Sequence, residues 1–225
     1  ESLKRARQPY PGPIDALSVA EVTRLLGRQD QDSVLGVRDF VLFTLLYRLG
    51  LRLGEALALD LGDLDLDGEV LHIHGKGRRA RTLPLLADVG DLLRRWLLLR
   101  GRLFRARTST ALFLSKKGNR LSLRAAEESF AALVARAGPF RLRKVTPHSL
   151  RHAFATHAME GEADLLVLKA ALGHAWLQST EIYLHPSLKV LRQAINDHPA
   201  SEVLAELMAE DRIVLRIQPE RRRAA

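Results

Sequence analysis

Apolar residues recur with two different periods along this 225-residue chain. The first helical pattern follows Ser18, an N-cap candidate with Glu21 three residues on, and runs through VAEVTRLLGR. VRDFVLFTLLYRLG is apolar on most faces and predicts a buried helix ending at Gly50, with a second helix starting near Leu53. The period then changes. Val70, His72 and His74 alternate with Leu71 and Ile73, Gly75-Lys76-Gly77 follows, and a second extended run covers Thr82 to Leu85. That pattern predicts a hairpin whose turn holds Lys76 between two glycines. Helical patterns resume in DVGDLLRRWLLLRG, SLRAAEESFAALVARAG, PHSLRHAFATHAME and DLLVLKAALG, and again from Ser187 to Met208. RIVLRI is a candidate short strand before a basic tail. The expected fold is therefore α+β, mostly helical, with one small antiparallel sheet.

Charge narrows the partner. Lys and Arg total 35 against 26 acids, a net +9, and the pI is near 10.4. A basic surface of this size favours a polyanion. Aromatics are only 5%, too few for a platform on which single strands stack. Duplex DNA gripped through its phosphates is the better expectation. No membrane is expected as a partner: Arg48, Arg52 and Glu55 interrupt the longest apolar stretch. There is no signal-peptide pattern. Without cysteine the chain has no disulfide framework and no thiolate chemistry, and cytoplasmic residence is the default. The first residue is Glu rather than Met, as expected of a piece of a longer protein.

Some apparent motifs dissolve on inspection. Asp63, Asp65, Asp67 and Gly68 begin like a calcium loop, but the twelfth position, where a bidentate Glu belongs, is His74. Alternating Asp in a turn leading into a strand is the simpler reading. Gly75-Lys76-Gly77 lacks the spacing of a nucleotide P-loop. His148 and His152 lack the intervening Glu of a helical zinc site. No carboxylate cluster suits a metal nuclease. Neither metal nor cofactor is expected.

Four stretches remain that bring cations or proton carriers to a phosphate. Arg52 starts a helix with Glu55 one turn on, where the carboxylate can hold the guanidinium; taken alone, a surface pair explains it better. Lys76 on the hairpin tip suits a phosphate contact or a general acid; taken alone, a solvated loop lysine explains it better. Thr146 is a natural N-cap and Pro147 a natural first residue, which puts His148 and Arg151 one turn apart near a positive helix end. Finally His174 follows Leu172-Gly173, with Tyr183 nine residues later and His185 beyond it. A lone tyrosine of this kind is ordinarily core or surface.

Taken together and in this order, the stretches resemble one family over roughly residues 15 to 190: the tyrosine recombinases, which include phage integrases and Xer proteins. The resemblance rests on GLR with Glu55, GKG on a hairpin, HSLRH, LGH and the tyrosine behind it. It implies a tyrosine-recombinase catalytic domain and site-specific cutting and rejoining of duplex DNA, with Arg52, Lys76, His148, Arg151, His174 and Tyr183 as catalytic residues and Glu55 in support. Tyr183 would attack a scissile phosphate, expel the 5′-hydroxyl and form a 3′-phosphotyrosyl intermediate. A free tyrosine has a pKa of about 10, so it needs a proton acceptor, for which His148 is the candidate. Arg52, Arg151 and His174 would hold the non-bridging oxygens, and Lys76 would protonate the leaving 5′-oxygen. Fixed cations would stand where other enzymes use metal ions, and no ATP is needed.

The implied organisation is a basic, proline-rich linker or arm at 1–14, a catalytic domain at 15–195, and a C-terminal helix and basic tail at 196–225 that reaches towards a neighbouring subunit. Other recombinase subunits, in a tetramer on paired sites, are the implied partners. The resemblance also implies an N-terminal DNA-clamping domain, to which the proline-rich start is expected to be the linker, so that these residues are expected to be the catalytic half. Two alternatives stay open: a topoisomerase-like enzyme that nicks and reseals one duplex, and a DNA-binding relative that has lost the reaction.

Overall fold

The computed structural model describes residues 16–30, 32–75, 80–103, 108–141, 144–160, 165–173 and 188–209. Helix α1 (Val19–Leu26) starts as its sequence predicts. The Ser18 hydroxyl accepts from the Glu21 N–H (3.3 Å), and the Glu21 carboxylate accepts from the Ser18 N–H (2.9 Å). This reciprocal cap satisfies two N–H groups that the first helical turn leaves open. Helix α2 (Val34–Arg48) begins slightly earlier than its apolar pattern, because Ser33 caps it through the Gly36 N–H at 3.0 Å. Every residue from Gly36 to Arg48 is buried. Even Arg48 is enclosed, its charge answered by Asp88 at 3.1 Å and its guanidinium by the Ile195 carbonyl.

Around α2 lie α3 (Leu53–Ala58), α4 (Ala87–Arg100), α5 (Leu123–Ala137) and α6 (Pro147–Glu160), followed by α7 (Leu165–Leu172), α8 (Leu188–Asn196) and α9 (Ala200–Ala209). The run from Ser187 to Met208 was expected to be helical, and it resolves into two helices parted at Asp197–Pro199. Pro199 has no N–H to continue the ladder and restricts the residue before it. No helix among the described residues is long and apolar enough to cross a membrane. The 1–14 arm, the hairpin tip at 76–79, the RIVLRI run and the basic tail lie outside the described residues.

The sheet is antiparallel, in the order β1 (Leu64–Asp65), β2 (Val70–His74), β3 (Ala80–Pro84). Leu71 pairs with Leu83 and Ile73 with Arg81 on the inward face; His72 pairs with Thr82 and His74 with Ala80 on the other. Strand β1 corrects the expectation of a plain turn in Asp63–Gly68. Leu64 and Asp65 pair with Leu71 and Val70, and only then does the chain turn, the Asp65 carboxylate accepting from the Gly68 N–H at 2.7 Å. Asp63 is engaged by His74 at 2.8 Å.

The far end of α6 carries a buried polar cluster. The Tyr47 phenol lies 2.9 Å from His157 Nδ1. His198, just before α9, donates from Nε2 to the Phe154 carbonyl (2.8 Å), accepts at Nδ1 from the Ala200 N–H (2.9 Å), and stacks on the Phe154 ring. Those bonds fix one neutral tautomer.

Candidate active site

The chain leaves α2 through Gly50, whose φ of +62° lies in the left-handed region. A Cβ there would come within 2.5 Å of the Phe154 ring and 2.9 Å of Leu172. Glycine thus lets the turn press against both α6 and α7. Two residues later Arg52 occupies the N-cap of α3, and its backbone N–H donates to Glu55 Oε2 at 2.9 Å. Its guanidinium donates to Oε1 of the same carboxylate, also at 2.9 Å. The Arg52 side chain is 48% exposed while that of Glu55 is 9% exposed, so the carboxylate anchors a guanidinium that still faces solvent.

Helix α6 brings the second arginine. The Thr146 N–H donates to the Ser149 hydroxyl at 3.1 Å, fastening the helix start. Arg151 then lies inside, 5% exposed, with Nη1 4.0 Å from Glu55 Oε2. It also donates to the Gly50 carbonyl and, at 2.8 Å, to the Leu172 carbonyl. One side chain thereby ties the α2–α3 turn to the end of α7. Burial, with the nearby Arg52 charge, lowers the Arg151 pKa to about 10, Glu55 acting the other way; it stays a cation at neutral pH.

His148 stands exposed one turn before Arg151 on α6. Partial burial, then the charges of Arg151, His152 and Arg52, lower its pKa below the ordinary 6.5. It is consequently neutral at pH 7 and able to accept a proton. Burial alone would raise the Glu55 carboxyl. Hydrogen bonds from Arg81 and the Arg52 backbone, with the Arg81 charge, outweigh it and bring the value down to about 2.

Arg52, Glu55, His148 and Arg151 are therefore gathered as the sequence suggested. Lys76, His174 and Tyr183 lie outside the described residues. The sequence reading missed Arg81. It donates through Nη1 and Nη2 to the two Glu55 oxygens (3.1 and 2.9 Å) and through Nε to the Ala171 carbonyl (3.0 Å). A signal for it existed: alternation counted back from Leu83 puts residue 81 on the inward face, where a charge needs a partner. Three guanidiniums now surround one carboxylate, leaving an excess of positive charge fitted to a phosphate.

Comparison with known proteins bears on the family and the fold. The phage integrase family model matches residues 16–189. Tyrosine recombinase XerC of Salmonella typhi is 41% identical over 184 residues, covering 82% of this chain and 59% of the relative. XerC of Alcanivorax borkumensis is 37% identical over 189 residues (83% and 61%), and XerD of Ralstonia nicotianae 38% over 198 (87% and 63%). The chain thus spans about three-fifths of the length of these relatives. Among solved structures, XerA recombinase superposes with a TM-score of 0.63 at 30% identity, covering 82% of this chain and 65% of that one. XerH site-specific recombinase, bound to its difH substrate before cleavage, gives 0.63 at 27%, covering 84% and 55%. By its sequence along most of its length and by its fold, the chain belongs to the phage integrase family.

Proposed function

We propose that this chain is the catalytic portion of a tyrosine site-specific recombinase, which cuts and rejoins duplex DNA without metal or cofactor. The observation that carries the reading is the gathering of Arg52 and Arg151 on one buried Glu55, beside a neutral His148. In the proposed step Tyr183 Oη forms a bond to phosphorus as the bond from phosphorus to the 5′-oxygen breaks. The phenol proton passes to His148 and the 5′-oxygen takes a proton from Lys76. Arg52, Arg151 and His174 hold the non-bridging oxygens, whose charge must be met during transfer. One phosphodiester replaces another, so the reverse attack by a 5′-hydroxyl can join a different end. The names of the XerC and XerD relatives support this activity, and the difH-bound state of XerH supports a nucleic-acid substrate.

The proposed organisation keeps 1–14 as a linker or arm, 15–195 as the catalytic unit and 196–225 as a segment contacting a neighbouring subunit. Exchange then requires a tetramer on paired sites.

The test is covalent capture. The protein is incubated, without metal or ATP, with a nicked duplex carrying a site selected for binding from a randomised duplex library. A denaturing gel should show protein attached to a 3′ end, and Tyr183→Phe should abolish the adduct. Binding without any adduct would identify a relative that has lost the reaction. Relaxation of a supercoiled plasmid by the monomer, with no recombinant product, would identify a topoisomerase-like enzyme instead.

A further inference from the structure

Arg81 belongs to none of the motifs and has no part in the proposed chemistry, yet it joins three of the segments that build the site. It projects from the inward face of β3 opposite Ile73, and its side chain is 14% exposed. Its two terminal nitrogens hold both oxygens of Glu55, and Nε holds the carbonyl of Ala171. The next carbonyl along, that of Leu172, is held by Arg151. The last carbonyls of a helix lack intrahelical partners and sit at its negative end, so two guanidiniums suit that position. Gly173 completes the fit. Its φ is +63°, and a Cβ added there would lie 2.7 Å from Arg81 Nη1. Only glycine both adopts that backbone and leaves the guanidinium its place.

The bonding pattern separates Arg81 from Arg52. With Arg52 alone, the carboxylate would be held at Oε2 by a backbone N–H and at Oε1 by the same half-exposed guanidinium it has to orient, so the mobile group would be one of its own two anchors. A two-pronged arginine fixes the plane of the carboxylate, which a lysine ammonium cannot do. With its nitrogens on protein acceptors, Arg81 is built to hold the site together rather than to meet a ligand.

We propose that Arg81 is a positioning residue for strand transfer, orienting Arg52 through Glu55 and, through the Ala171 carbonyl, the backbone leading into Leu172-Gly173-His174. The proposal rests on the strand-transfer reading above, since what it positions is the phosphate clamp.

The test uses the selected nicked duplex with Arg81→Lys, Arg81→Ala, Glu55→Ala and the Arg81→Ala/Glu55→Ala double variant. Single-turnover adduct formation at saturating DNA should slow about 10- to 100-fold in both Arg81 variants, while the DNA Kd stays nearly constant. The double variant should be no slower than the slower single one, because both substitutions remove the same link. A wild-type rate in Arg81→Lys, fully multiplicative effects, or a loss confined to Kd would overturn the proposal. A second measurement needs no activity: an NMR titration of the Glu55 side-chain carboxyl in DNA-free protein. In Arg81→Lys it should move up towards the ordinary 4.5 while the rest of the amide spectrum is retained; an unmoved carboxyl would overturn the link. If the unsubstituted protein forms no adduct but the carboxyl does move, the strand-transfer reading falls and the tie to Glu55 stands. If the adduct forms at a rate indifferent to Arg81, the reading stands and the positioning role falls.

Discussion

Near the start of α6, Arg151 keeps its charge with only 5% of its side chain exposed; near the end of the same helix, buried His157 and neighbouring His198 lose theirs. The difference lies in what surrounds each group. Arg151 faces the Glu55 carboxylate and two carbonyl oxygens, acceptors that stabilise a cation. The histidine rings meet a phenol, carbonyls and a backbone N–H. Burial lowers both histidine pKa values, and outweighs the Glu160 charge that pulls His157 the other way; at His198 burial, joined by His157 and Arg48, outweighs the bond to the Phe154 carbonyl and brings the value to about 4. Tyr47 is pushed up by burial, so its hydroxyl donates to a neutral His157. A fold can therefore keep charge inside only where it supplies the opposite charge. Arg48 obeys the same rule close to the histidines, its charge met by Asp88, while the rings are held by neutral partners; around Arg151 the acceptors gather where a phosphate is proposed to bind.

Removing the charge at the first end should have the largest effect. Arg151→Ala leaves Glu55 with one cation fewer and frees two buried carbonyls, so it should destabilise the fold by about 3–5 kcal/mol in urea unfolding. Adduct formation should fall about 10²- to 10³-fold. A variant that unfolds like the parent would show that the tie between Gly50 and Leu172 contributes nothing.

Acid should then undo the two ends at different pH. An unfolded histidine takes a proton near 6.5, whereas folded His198 resists until about 4. Its contribution is whole above 6.5 and is lost as pH falls towards 4, roughly 3 kcal/mol in all. Glu55 is depressed from 4.5 to about 2, so its contribution is whole above 4.5 and is lost as pH falls to about 2, again about 3 kcal/mol. Stability measured against pH should show two descending limbs. His198→Gln should shrink the upper limb and Glu55→Gln the lower one. A flat profile from 6.5 to 4.5 would refute the buried neutral histidine. The smallest effect is expected from Tyr47→Phe, which removes one neutral hydrogen bond to His157 and should cost about 1 kcal/mol. Because neither Tyr47 nor His157 has a part in the proposed chemistry, the cleavage rate should not change.

What the sequence disclosed follows from the range of the forces involved. The start of helix α6 at Pro147 was legible to the residue, because it is written locally in Thr146, Pro147 and Ser149. The meeting of Arg52, Glu55 and Arg151 was implied only by the family resemblance, because no local rule brings α3 and α6 together. Arg81 was missed because the second extended run was started at Thr82, one residue beyond it, whereas β3 begins at Ala80, and its inward face appears only once β3 is paired residue by residue with β2. Strand β1, with two residues, is too short to show a period. His198 stands in a polar run before a proline, and only the packing against Phe154 shows it to be buried. What was read at Lys76, His174 and Tyr183 remains sequence evidence.

Helix α2 is enclosed from Gly36 to Arg48, and this sets how the domain opens. Amides so surrounded exchange with solvent only when the whole unit unfolds, so they should mark the slow limit of hydrogen exchange. Gly50, which accepts from Arg151, lies two residues beyond that helix. The proposed phosphate clamp therefore hangs from the part of the molecule that opens last. A protease or a guanidinium-modifying reagent reaching Arg151 would be counting unfolded molecules rather than reporting local breathing.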